Sequence, residues 1–248
     1  MLLVLDAGNS RLKWGMWGTY GWVSLGATPN HEIGSLASRD WAGLPRPMRA
    51  VGVNVAGEAT RVRIEAQMTR WRLQPEWQHA TDGACGVRNS YNRPGQLGSD
   101  RWAALVAARK RATGGDLFPS PCVVVTVGTA VTIDALDGDG VFRGGLICAG
   151  LNMMLQSLAN NSAALKVPPG EFQPFPKSTA DGLYTGAVLA ITGAVEQMRR
   201  RLAPDGPPPR CYVSGGAAAE ILPRLAEPVE FVENLVLEGV VALAEENG

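Results

Sequence analysis

The chain has 248 residues and a mass of 26.3 kDa, which at about 150 residues per domain allows one large domain or two small ones. Hydrophobic residues make up 46% and charged residues 19%, a balance that buries a core and excludes a disordered or fibrous chain. Lys and Arg number 23, as do Asp and Glu, so the positive excess that neutralises a nucleic-acid backbone is missing and no nucleic-acid partner is expected.

Four cysteines, Cys85, Cys122, Cys148 and Cys211, lie in apolar surroundings without a C-x-x-C pair, which points to a reducing cytoplasm rather than a disulfide framework or a zinc cluster. The opening Met-Leu-Leu-Val-Leu is cut short by Asp6, and no later apolar run reaches about 18 residues, so neither export nor a membrane partner is expected.

Leu3 and Leu5, then Leu12, Trp14 and Met16, alternate with small or polar residues on either side of Asp6-Ala7-Gly8-Asn9-Ser10. That pattern predicts two strands around a tight turn. Further strands are predicted near Trp22 to Leu25 and Ala50 to Val55, then a helix from Glu58 to Arg72 carrying Val62, Met68 and Trp71. A turn-rich loop from Asn89 to Gly98 leads into a helix running to about Ala112, on which Trp102, Leu105 and Val106 share a face. Asp100 falls in its first turn.

Gly114 to Pro121 reads as a linker, and the chain is divided there into 1–116 and 117–248. Val123 to Asp134 then repeats strand, glycine turn and strand, with Gly128 lying 120 positions after Gly8. A third strand, Val141 to Ile147, follows Asp137-Gly138-Asp139-Gly140, which lacks the glutamate and length of a calcium loop and reads as a turn. Helices are predicted over Leu151 to Leu165 and Ala180 to Leu202, with Met153 and Met154 in the core. Cys211 to Ser214 reads as a strand entering Gly215-Gly216, and an amphipathic helix begins near Asn234.

Both strand–turn–strand elements place a glycine beside small hydroxyl or amide side chains. Such a bend lets an anion approach backbone N–H groups, and phosphate suits it; either turn alone equally suits an ordinary hairpin. Neither is a Walker or Rossmann loop, because G-x-x-x-x-G-K-[ST] and a strand-to-helix G-x-G-x-x-G are missing. A carboxylate beside phosphate donors suggests that Asp6 holds Mg2+, with Lys13 neutralising a phosphate oxygen or simply solvated.

These segments, together with Tyr91-x-x-Pro94-x-x-Leu97-Gly98-Ser99-Asp100-Arg101, Val127 to Asp134, Gly144-Gly145-x-Ile147-x-x-Gly150 and Gly215-Gly216, resemble the type III pantothenate kinases. That family belongs to the superfamily of acetate and sugar kinases, Hsp70 and actin. The resemblance implies an α/β fold of two duplicated actin-like (ribonuclease H-like) domains, each a mixed sheet flanked by helices, with a cleft between them. It implies transfer of the γ-phosphoryl group of ATP to the hydroxyl of pantothenate, the first committed step towards coenzyme A.

Residue by residue, the resemblance makes Asp100 the catalytic carboxylate, whose place at a helix N-terminus is expected to keep it ionised; plain capping is the other reading. It gives pantothenate Tyr91, Gly98, Ser99 and Arg101, plus Thr179 from the neighbouring subunit of a homodimer, although Thr179 also suits a helix cap. It assigns ATP to Asp6, Ala7, Gly8, Asn9, Ser10, Arg11, Lys13, Gly128, Thr129, Gly215 and Gly216, with Asp6 also on the metal. Many members carry aspartate where this chain has Thr126, so their need for K+ or NH4+ is not expected here. Another small-molecule kinase of the superfamily and a non-catalytic ATP-binding regulator are the alternatives.

Overall fold

The structure, a computed structural model, describes residues 1–114, 120–161 and 169–246, with 159–161 as backbone alone. Residues 1–115 and 234–248 form one compact unit and 116–233 a second. The predicted linker residues 115–119 and the end of the helix predicted to reach Leu165 lie outside the described residues.

In the first unit, β1 (Leu2–Ala7), β2 (Arg11–Gly18), β3 (Gly21–Pro29), β4 (Arg49–Asn54) and β5 (Glu76–Trp77) form a sheet of order β3-β2-β1-β4-β5. The first three strands run antiparallel, while β4 is parallel to β1 and β5 to β4. The alternating residues Leu3, Leu5, Leu12, Trp14 and Met16 bury against Ile64 and Met68 of α1 (Glu58–Met68) and against Trp41 and Trp71. Val62, expected among them, is instead 54% exposed, because the apolar positions that reach the core on α1 are Ile64 and Met68. A short hairpin, β6 (Gly83–Ala84) and β7 (Val87–Asn89), precedes α2 (Ser99–Thr113).

In the second unit, β8 (Cys122–Val127), β9 (Ala130–Leu136), β10 (Val141–Ala149), β11 (Arg210–Ser214) and β12 (Val229–Phe231) lie in the order β12-β11-β8-β9-β10. Here β8, β9 and β10 run antiparallel, β11 is parallel to β8 and β12 to β11. Order and strand sense therefore repeat those of the first sheet, so the duplication extends from the two turns to the whole sheets. Helices α3 (Leu151–Asn161), α4 (Thr179–Leu202) and α5 (Ala218–Ile221) accompany it. Met154 packs on its core as expected, but Met153 is 45% exposed.

The last helix, α6 (Leu235–Glu246), departs from the division at 116/117: it belongs to the first unit. Its apolar residues are buried nearly all round, including Leu235, Leu237, Val240, Val241 and Leu243, so it needs covering on several sides. Gly239 lies so near α2 that a Cβ there would overlap the Ala103 carbonyl. Ion pairs Arg111–Glu238 at 2.8 Å and Lys110–Glu245 at 3.0 Å add to that contact.

Candidate active site

Asp6, the last residue but one of β1, lies directly opposite Lys13 on β2, which is how a short hairpin brings a carboxylate and an ammonium group to one turn. Burial pushes the Asp6 carboxyl from its ordinary 3.8 up to about 7, the Asp100 charge adds to this, and Lys13 opposes it. Asp6 keeps some accessible surface. Gly8 does not offer its N–H to a guest as the turn had suggested: it donates to the Arg11 carbonyl at 3.1 Å and closes the hairpin.

Asp100 occupies the first turn of α2, and its Oδ1 accepts from the Arg101 N–H at 2.8 Å. The helix terminus alone does not set the proton affinity of Asp100. Desolvation raises its carboxyl above the ordinary range, outweighing that hydrogen bond and the Arg101 charge. The Asp100 charge in turn raises the Asp6 carboxyl. Gly98 has φ −55°, which any residue adopts; its lack of a side chain matters because a Cβ would stand 2.7 Å from Asp100 Oδ1.

Arg101 is only 6% exposed. Its Nη1 donates to the Tyr91 hydroxyl at 3.3 Å, and its guanidinium lies 5.9 Å from the Tyr91 ring centre. Ser99 is buried beside it at the start of α2. Asn89, which no motif marked, fastens the loop: its Nδ2 donates to the Thr81 and Pro94 carbonyls at 3.2 and 3.1 Å, and its Oδ1 accepts from the Tyr91 N–H at 3.1 Å. The only signal for it was an asparagine opening a turn-rich loop.

Within the second unit, Gly128 likewise uses its N–H inside the turn, on the Ala130 carbonyl at 3.0 Å. Gly150 donates to the Thr129 carbonyl at 2.9 Å, and a Cβ on it would overlap the carbonyls of Gly128 and Thr129. Gly215, at φ +107°, packs on Val127, whose carbonyl accepts from the Ala217 N–H at 3.2 Å. Because β8 and β11 are parallel neighbours with Thr126 opposite Ser214, Gly128-Thr129 and Gly215-Gly216 leave the same edge of the sheet side by side. Thr126 stands between Ser214 and Thr132, a row of hydroxyls at the position that Asp6 holds in the first sheet. Thr179 is exposed as the first residue of α4; the cap is Ser178, whose Oγ accepts from the Asp181 N–H at 3.1 Å.

Asp6, Ala7, Gly8, Asn9, Ser10, Arg11, Lys13, Tyr91, Gly98, Ser99, Asp100 and Arg101 thus lie in the first unit, and Gly128, Thr129, Thr179, Gly215 and Gly216 in the second. Among the described residues no group of three or more His, Cys, Asp or Glu could hold a metal. A half-buried pair of carboxylates nevertheless fits Mg2+, which takes one or two such groups and fills its shell with water and phosphate oxygens. None of the described helices is long and apolar enough to cross a membrane.

Two mixed sheets of one order, each with a glycine turn after its first strand, define a duplicated actin-like fold. A Campylobacter jejuni protein assigned to the Baf family of transcriptional activators shares it, at TM-score 0.66 and 18% identity over 99% of this chain and 98% of that one. So does a Sinorhizobium meliloti protein assigned as a 2-dehydro-3-deoxygalactonokinase, at TM-score 0.58 and 13% identity over 99% and 98%. At such identities the likeness is one of fold. The family model for type III pantothenate kinase matches residues 2–201. The type III pantothenate kinase of Leptothrix cholodnii is 44% identical, covering 98% of this chain and 96% of its own length. This chain belongs to the type III pantothenate kinase family, and it is a phosphotransferase of coenzyme A biosynthesis.

Proposed function

We propose that this pantothenate kinase transfers the γ-phosphoryl group of ATP to the primary hydroxyl of pantothenate, with Asp100 receiving the hydroxyl proton. The supporting observation is the carboxylate pair: Asp100 is half-buried and its carboxyl raised, and its charge helps to lift Asp6 to about 7. A raised carboxyl is a better proton acceptor near neutral pH than an ordinary aspartate. As the hydroxyl oxygen bonds to phosphorus and the bond to ADP breaks, the O–H proton passes to Asp100.

The remaining residues position and neutralise, which is most of what phosphoryl transfer asks of a protein. Arg101, steadied by Tyr91, takes the substrate carboxylate, and Gly98 and Ser99 line the same pocket. Asp6 would hold Mg2+, which when bound neutralises phosphate charge. Lys13 and the residues from Ala7 to Arg11 meet ATP phosphate, as do Gly128 and Thr129, while Gly215 and Gly216 approach the adenine end. The row of hydroxyls at Thr126 is a poor cation site without a carboxylate, so K+ and NH4+ are dispensable.

The active form is a cytoplasmic homodimer in which Thr179 of one copy reaches the pantothenate pocket of the other. An exposed line on α4 supports this: Gly182, Gly186, Leu189 and Gly193 recur at helical spacing, a face that a second helix can approach closely. The deciding experiment follows ADP release from Mg-ATP with pantothenate, sugars and short hydroxy acids. Turnover is expected with pantothenate alone and is expected to fall about 100-fold or more in Asp100→Asn, the scale of a lost proton acceptor. Full activity in that variant would refute the role.

A further inference from the structure

We infer that Asn30 is the positioning residue of the first-unit phosphate turn, an inference that rests on the proposal that this turn holds ATP phosphate. Asn30 immediately follows β3. Its Nδ2 donates to the carbonyls of Gly8 and Asn9, both at 2.9 Å, and its own N–H donates to the Ser10 carbonyl at 3.1 Å. One residue therefore gathers three successive carbonyls of the turn. In a trans peptide the C=O and N–H point to opposite sides, so the N–H groups of Asn9, Ser10 and Arg11 are turned away from Asn30. Successive N–H groups aimed to one side form an anion-binding concavity. Asn30 sets that direction, and Gly8, whose own N–H closes the hairpin, supplies only the room.

The amide cannot be reversed, because that would set its oxygen 2.9 Å from two carbonyl oxygens. Its Oδ1 thus faces away from the turn and is buried with no hydrogen-bond partner among the described residues. An orphaned acceptor costs stability. Asparagine fits because the turn needs an NH2 group that donates twice from a short stem.

The test compares Asn30→Ala, Asn30→Asp and Lys13→Ala by KM for Mg-ATP, KM for pantothenate and Tm. Asn30→Ala is expected to raise KM for ATP about tenfold, the scale of two ordinary hydrogen bonds, with KM for pantothenate unchanged. Asn30→Asp is expected to raise it further, because it replaces the donor by a charged oxygen that repels the Gly8 and Asn9 carbonyls and turns the peptides out of line. A residue that only supports the fold would lower Tm or move both KM values together, and either result without a selective ATP effect overturns the inference. If Lys13→Ala raises KM for ATP while both Asn30 variants leave it unchanged, the inference falls and the phosphate reading stands. If Lys13→Ala also leaves it unchanged, that reading falls and takes the inference with it. Should Asn30→Ala fail to fold, the near-isosteric Asn30→Asp decides, and failure of both marks Asn30 as structural and overturns the proposal.

Discussion

Asp6→Asn is expected to make the metal-free protein more stable at pH 8 while abolishing its activity. The carboxyl lies at about 7 in the folded protein against an ordinary 3.8. Above pH 7 it is charged in both folded and unfolded chains, so the fold bears the full cost of burying the charge. Between pH 7 and pH 4 the folded protein takes up the proton first, and that cost fades as the pH falls. The interval corresponds to roughly 4 kcal/mol at about 1.4 kcal/mol per tenfold change in proton affinity. Partial exposure of Asp6 and the partner that Lys13 loses bring the expected gain down to about 1–2 kcal/mol. Urea unfolding in EDTA should therefore show Asp6→Asn more stable than the parent at pH 8, with the difference shrinking by pH 5. A variant less stable at pH 8, or one whose difference is the same at both pH values, refutes the reasoning.

Two further substitutions test the glycines. Gly98→Ala sets a methyl group 2.7 Å from Asp100 Oδ1 and should lower kcat on the order of tenfold to a hundredfold, the scale of a misplaced catalytic group, with KM for ATP unchanged in steady-state assays. Gly215→Ala forces a side chain into the Val127 backbone at φ +107° and should destabilise the protein by roughly 2 kcal/mol or more, read as a lower urea midpoint.

The sheets were legible because their signal is local. Leu3, Leu5, Leu12, Trp14 and Met16 alternate with a period of two, and the same strand–turn–strand pattern returned at Val123. β5, β6 and β12 have only two or three residues each, too few for any periodicity to register. The place of α6 was hidden for another reason: a helix buried on nearly every face announces that it is covered but not by what, and its contact with Ala103 joins residues far apart in the chain. Within the site, the motif residues could be named from sequence. Asn30 and Asn89 could not, because each acts by fastening a turn distant in sequence or a loop whose shape is set by the fold.

The ionisation of Asp100 shows where reading from local structure stops. A carboxylate in the first turn of a helix gains about 0.3–1 kcal/mol from the terminus when exposed, which favours the charged form. Burial acts in the opposite sense and, as the raised carboxyl shows, it prevails. The burial follows from tertiary packing that leaves Ser99, Arg101 and Trp102 at 7%, 6% and 0% exposure around it. The same packing that makes this acid costly to ionise brings it closer to the proton affinity a base needs at neutral pH. In the proposed mechanism desolvation therefore sets the strength of the acceptor, with Gly98 making room for the Asp100 carboxylate and the Arg101 N–H holding it in place.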